Sequence, residues 1–172
     1  MRNLKVTLML VAAVSFFSAS LFAEEKIAVV DLGAAIFGSD VAQKRQKELQ
    51  SKSEYAALQA KYDSTAADIR AMQTDAESKS MTWSAEQKDE FQKKMEYMRA
   101  DIELTARKLE SEARTLQNSI VRELQPKALE AIQELVSQEG ITVLLRADAV
   151  LMAKPEINLT EKLTEKLNSK TQ

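Results

Sequence analysis

The sequence predicts a mainly α-helical protein: a long antiparallel coiled-coil hairpin on a small three-stranded β base, through which copies of the chain associate. Three observations carry that expectation. Residues 39–139 contain no glycine and one proline, Pro126, so the residues that bend a backbone most readily are confined to the ends of that stretch. Through it, apolar side chains return at three- and four-residue steps, the spacing that keeps one seam of a helix facing a partner helix. Short β-branched runs at 26–31, 141–145 and 150–153 flank the stretch on both sides.

Taken in order, residues 1–23 place Arg2 and Lys5 before an apolar run, with Ser18, Ala19, Ser20 and Ala23 ahead of Glu24 and Glu25. That is the layout of a cleavable secretory signal. The apolar run falls short of the roughly 20 residues a membrane span requires. Cleavage is expected after Ala23, with Ser20 as the alternative, and an exported protein that works outside the cytoplasm results. Residues 26–31 (Lys-Ile-Ala-Val-Val-Asp) read as a strand stopped by Gly33, with Ile27 and Val29 on one face. Ser39 is the expected N-cap of a first helix from about Asp40 to about Ala76. Its Tyr55, Leu58, Tyr62, Ile69, Met72 and Ala76 fit a four-three heptad, with Thr65 in the missing slot.

The polar segment 74–84 breaks the pattern, and Ser84 with Gln87 forms a capping box for the returning helix. That helix carries Phe91, Met95, Met98, Ile102, Thr105 and Leu109 in near-continuous heptad spacing, lapses at Glu112, and runs to about Gln138. Pro126 inside it removes a backbone donor, so a kink or hinge is expected near Glu123. Gly140 is expected to end the helix as a left-handed cap. Residues 141–145 and 150–153 then read as a hairpin, and Leu159, Leu163 and Leu167 line a short final helix, capped at Asn158 with Glu161, that packs on the sheet. The resulting division is a base at 24–38 and 139–172, and an arm at 39–138 with its tip at 74–84. So small a base cannot bury enough apolar area to support so long an arm, and association through its strands resolves this. Ile27, Val29, Ile141, Val143 and Leu145 are the expected oligomerisation core.

Composition excludes several functions. The chain has no histidine and no cysteine, which removes the usual general base, the usual zinc ligands, the nucleophilic thiol and any disulfide. No catalytic residue, metal or cofactor is expected. Its net charge of −2, made more acidic by loss of Arg2 and Lys5 with the leader, is wrong for a nucleic-acid binder.

The 26–31 strand, the Leu124-Gln125-Pro126-Lys127 step, the 141–145 and 149–151 runs and the closing Asn158-Leu159-Thr160-Glu161-Lys162-Leu163 together resemble the Skp/OmpH-type periplasmic chaperones over residues 26–168. The resemblance implies a homotrimer with a shared β-barrel-like body and three helical arms around a cavity. There an ATP-independent holdase would keep unfolded outer-membrane β-barrel proteins from aggregating in transit. The outer-membrane assembly machinery is a further partner it implies. Well-known members are strongly basic, whereas in residues 70–99 the cations Arg70, Lys79, Lys88, Lys93, Lys94 and Arg99 are matched in number by acidic residues. Client binding therefore carries over, and a lipopolysaccharide or membrane site does not. The competing expectation is an exported coiled-coil spacer or adaptor that docks one folded partner.

Of seven methionines, Met72, Met81, Met95 and Met98 lie in the distal arm, with Trp83 and Phe91 among them. Flexible thioethers suit a surface that accepts varied apolar segments. All six are candidate client-binding residues: Met72, Phe91, Met95 and Met98 occupy heptad positions and serve mainly to join the helices, while Met81 and Trp83 fall in the turn, where they either cap the hairpin or meet a client.

Overall fold

The computed structural model describes residues 25–171; the expected leader lies outside them. Strand β1 (Ile27–Val30) leads into a short helix, α1 (Leu32–Gly38), then α2 (Asp40–Ser51) and α3 (Ser53–Lys79). A single 3-10 turn, Ser80–Thr82, reverses the chain into α4 (Ala85–Glu139), followed by β2 (Val143–Arg146) and the final helix α5 (Thr160–Thr171). With 55 residues at about 1.5 Å each, α4 is about 80 Å long and spans both arm and base. α2 and α3 run back along it, tied by ion pairs Arg45–Glu123 (2.6 Å) and Lys61–Asp101 (2.6 Å).

The expected termini of the arm helices form as read. Ser39 accepts from the Ala42 N–H, Ser84 and Gln87 exchange both bonds of a capping box, and Gly140 adopts φ 62° at the end of α4. Pro126 lies inside α4 without ending it. Two features of the helices were not read from the sequence. The first arm helix is broken at Lys52, whose backbone is extended (ψ 132°). Ser51 Oγ donates to the Lys47 carbonyl at 2.9 Å, the local serine bond that competes with helix continuity. Across from the break, Lys52 shares a surface groove with Glu112, the residue at which the α4 heptad lapses. Helix α1 also forms through Gly33, the expected stop after β1. Asp31 caps it, its Oδ1 accepting from the Ala34 N–H at 2.8 Å, and Gly33 sits in the first turn, where a poor helix former matters least.

The base corrects the expected three-stranded sheet. The sheet has two strands, β1 and β2, paired in parallel with Ile27 opposite Val143 and Val29 opposite Leu145. Residues 150–153 form no strand and no hairpin with β2. A tight hairpin there needs left-handed backbone in its turn, and Ala147-Asp148-Ala149 supplies no glycine, folding instead as a 3-10 turn braced by Arg146 and Asp148. The chain then continues irregularly to a second 3-10 turn, Pro155–Ile157. On the far edge of β1, Asn158 makes a single parallel bridge to Val29, and the Leu159 N–H donates to the Val29 carbonyl at 2.8 Å.

Nearly all the buried side chains lie at this end. Ile120, Leu124, Ala128, Ala131 and Leu135 of α4 pack with Leu163 and Leu167 of α5, Ala35 and Ile36 of α1, Ala42 of α2 and Val30 of β1. A satellite of Ala28, Ile141 and Leu159 closes the sheet end. α5 thus docks mainly on α1 and α4, with β1 a minor neighbour, rather than on the sheet as expected. In the arm, by contrast, α3 has no buried residue, and the distal half of α4 buries only Met95 and Thr105. A helix with a single neighbour can hide only one stripe, so Tyr55, Leu58, Tyr62, Ile69 and Met72 stay half-buried.

Candidate client-binding and assembly surfaces

Two apolar surfaces remain open, one at the tip and seam of the arm and one on the base. At the tip, Thr82 Oγ1 donates to the Lys79 carbonyl at 2.8 Å and closes the 3-10 turn. Trp83 then turns extended and sets its ring 5.0 Å from that of Phe91, tilted by 49°, a packing geometry favourable for aromatic pairs. This separates the two turn residues that the sequence left together. Trp83 covers the end of the helix seam, while Met81 is 96% exposed. Of the heptad residues, Met95 is buried at 5%, and Met72, Phe91 and Met98 are half-buried. Tyr97 and Leu104, exposed on α4 and not among the expected site residues, add an apolar stripe beside the seam. Their seven-residue spacing was the available signal, and it was hidden because both lie off the dominant heptad.

On the base, the expected association residues divide. Val29 (2% exposed) and Ile141 are buried within the chain itself, whereas Ile27 (45%), Val143 and Leu145 (both 39%) are exposed on one face of the sheet. Alternation explains the shared face, because Ile27 pairs with Val143 and Val29 with Leu145 in register. Of these four only Val29 is buried, and at its edge Asn158 bridges to it and the Leu159 N–H donates to its carbonyl. A groove of about 570 Å³ opens beside this face between α1, α4 and β2, with Ile36, Leu129, Ile132, Leu144 and Leu145 among its lining residues. The outer edge of β2 pairs with no strand among the described residues, and the segment after it projects Leu151 and Met152 almost fully into solvent.

An ionic frame holds α5 beside these elements. Glu134 accepts from Lys166 (2.8 Å) and Lys170 (2.6 Å), and Glu139 from Lys162 (2.5 Å) and Lys26 (3.1 Å). Hydrogen bonds from Lys166 and then Lys170 draw the Glu134 carboxyl down to about 2. Lys162 and then Lys26 lower that of Glu139, and the bond to Glu134 raises Lys170. These groups are solvent-exposed, so salt screens them. Among the described residues, no three His, Cys, Asp or Glu side chains converge as metal ligands, and no helix is long and apolar enough to cross a membrane.

The family model for outer membrane proteins of the OmpH-like type matches residues 26–167, which takes in β1, the whole arm, β2 and most of α5. The chain belongs to the OmpH-like family. This OmpH-like chain is 22% identical over 159 residues to a Skp-like protein of Pseudomonas aeruginosa, an alignment covering 92% of this chain and 94% of that one. It is also similar to the solved structure of an OmpH-like protein from Caulobacter crescentus, at 18% identity and a TM-score of 0.46 over 86% of both chains.

Proposed function

We propose that this OmpH-like protein is an ATP-independent periplasmic holdase that keeps unfolded outer-membrane β-barrel proteins from aggregating on their way to the outer membrane. The observation that carries the reading is the half-open arm. A 27-residue helix with no buried residue, facing a partner with Tyr97 and Leu104 exposed, offers apolar and thioether surface along its length. Holding an unfolded chain needs only this, because suppression of aggregation works by mass action. No catalytic group takes part. Met81, with the half-buried Met72, Phe91, Met98 and Trp83, forms the contact surface, and Met95 contributes by holding the seam.

Residues 24–38 and 139–172, with the ends of α2 and α4 that pack against them, act as the base and the rest of 39–138 as the arm, after a leader at 1–23 directs export. The base assembles three copies into a barrel-like body. Exposed Ile27, Val143 and Leu145, the open β2 edge and the protruding Leu151 and Met152 support that assembly, since unpaired strand edges and apolar patches seek partners. Clients would pass from the arms to the outer-membrane assembly machinery. The test is light scattering of a urea-denatured outer-membrane barrel protein diluted into buffer with the mature protein. Suppressed aggregation at stoichiometric excess is expected, and unchanged aggregation overturns the reading. Binding of one folded partner without any grip on denatured chains would favour the spacer instead.

A further inference from the structure

We infer that Met81 is a reversible oxidation site whose conversion to the sulfoxide loosens the tip's hold on apolar chains. The second half of this rests on the holdase reading. The sequence contains no cysteine, so no thiol competes for an oxidant, and the methionine thioethers are the softest nucleophiles on the chain. Their exposure is sharply graded: Met81 is 96% exposed, Met72 and Met98 are half-buried, and Met95 is 5% exposed. Among the described residues Met152, at 87%, is the other open thioether, but it lies beside the base surfaces that assembly would cover.

Position makes Met81 separable from the fold. The turn that carries it is held by the Trp83 N–H to the Ser80 carbonyl and by Thr82 Oγ1 to the Lys79 carbonyl, and neither bond uses the Met81 side chain. With hydrogen peroxide as oxidant, the sulfur lone pair attacks one peroxide oxygen, the O–O bond breaks as the S–O bond forms, and the proton on the transferred oxygen passes to the departing hydroxide, which leaves as water. Sulfur is oxidised by two electrons and peroxide is reduced by two. The product is a polar, chiral sulfoxide that methionine sulfoxide reductases can return to the thioether. At Met81 the new dipole meets only water, so the arm keeps its structure while an adaptable apolar contact is lost. At Met95 the same change would put an S–O dipole into the seam and cost stability.

The experiment treats the mature protein with dilute hydrogen peroxide, maps each methionine by peptide mass spectrometry over time, and measures retention of a denatured outer-membrane barrel protein. Sulfoxide at Met81 is expected on the order of tenfold faster than at Met95, from the difference in exposure. Retention should fall several-fold at full Met81 conversion, with the circular dichroism unchanged. Whatever client Met81→Leu retains before peroxide, it should retain the same amount after it, and Met81→Gln should behave like the oxidised protein without treatment. Equal rates at Met81 and Met95 would overturn the site. Equal retention by the oxidised and untreated wild type, or by Met81→Gln, would overturn its consequence. Failure of the untreated wild type to retain any client would instead strike the holdase reading, leaving the oxidation ranking decided by the map.

Discussion

Leu163 is the side chain on which docking of the final helix depends most directly. It is fully buried among Val30 of β1, Ala35 of α1, and Ala131 and Leu135 of α4, so one residue of α5 joins three other elements. Leu163→Ala removes three carbons, which at about 0.8 kcal/mol each loses about 2.4 kcal/mol of transfer free energy. Two of the neighbours are alanines fixed to helix backbones, too short to swing into the space, so the cavity persists and brings the total to about 4 kcal/mol, within the 2–5 range for such truncations. The assay is equilibrium urea unfolding followed by far-ultraviolet circular dichroism, at matched protein concentration because the assembly state shifts the apparent midpoint. Leu104→Ala, half-exposed on the arm, is the control and should change stability by less than about 0.5 kcal/mol. A loss below about 1 kcal/mol for Leu163→Ala would mean that α5 is not seated in the base core as described.

Three other expectations follow from particular residues. Glu134 has its carboxyl held at about 2 by two lysines, so its contribution is complete above the unfolded value near 4.5 and is lost as pH falls through 2. Glu134→Gln should therefore flatten the acid side of the pH profile of the urea midpoint, and added salt should shrink the difference. A charge at Val143, which is exposed beside the open β2 edge, should leave a folded protein of lower mass in sedimentation, whereas Val29→Asp should unfold the base because Val29 is enclosed within the chain. Gly140→Ala has open space around a Cβ but forces φ 62° on an L-residue, so thermal melting should show a loss of about 1–2 kcal/mol from strain alone.

What the sequence showed was governed by local rules, and what it hid depended on distant partners. The capping box at Ser84 and Gln87, the cap at Ser39 and the left-handed end at Gly140 are each decided within a few residues, and all three form as read. The arm's turn was equally plain, because polar residues interrupt a regular heptad. The second strand of the expected hairpin failed for the opposite reason. Residues 150–153 are apolar enough for a strand, but a strand also needs an edge to pair with and a turn to reach it, and neither is encoded in the run itself. Gly33 misled because helix propensity at the first turn is weaker than the Asp31 cap and the burial of Ala35 and Ile36. Ion pairs such as Lys61–Asp101, which fix the relative register of the two arm helices, join residues too far apart in sequence to be matched by eye.

The two ends of the chain are stabilised by different means, and the difference suits the proposed activity. At the base, side chains from six elements interlock, and the loss of one leucine is felt by several of them. Along the arm, burial is nearly absent, and helicity relies on helix-favouring alanine, glutamate, glutamine and lysine together with i,i+4 ion pairs such as Lys79–Asp75, Lys93–Asp89 and Arg114–Glu110. Each such pair contributes about 0.3–0.5 kcal/mol. A third helix laid against the seam would bury Tyr62, Met72 and Met98 and stabilise the arm, but it would also occupy the surface a client needs. A two-helix arm therefore remains only as stable as a docking surface permits, and the compact base must anchor both of its ends.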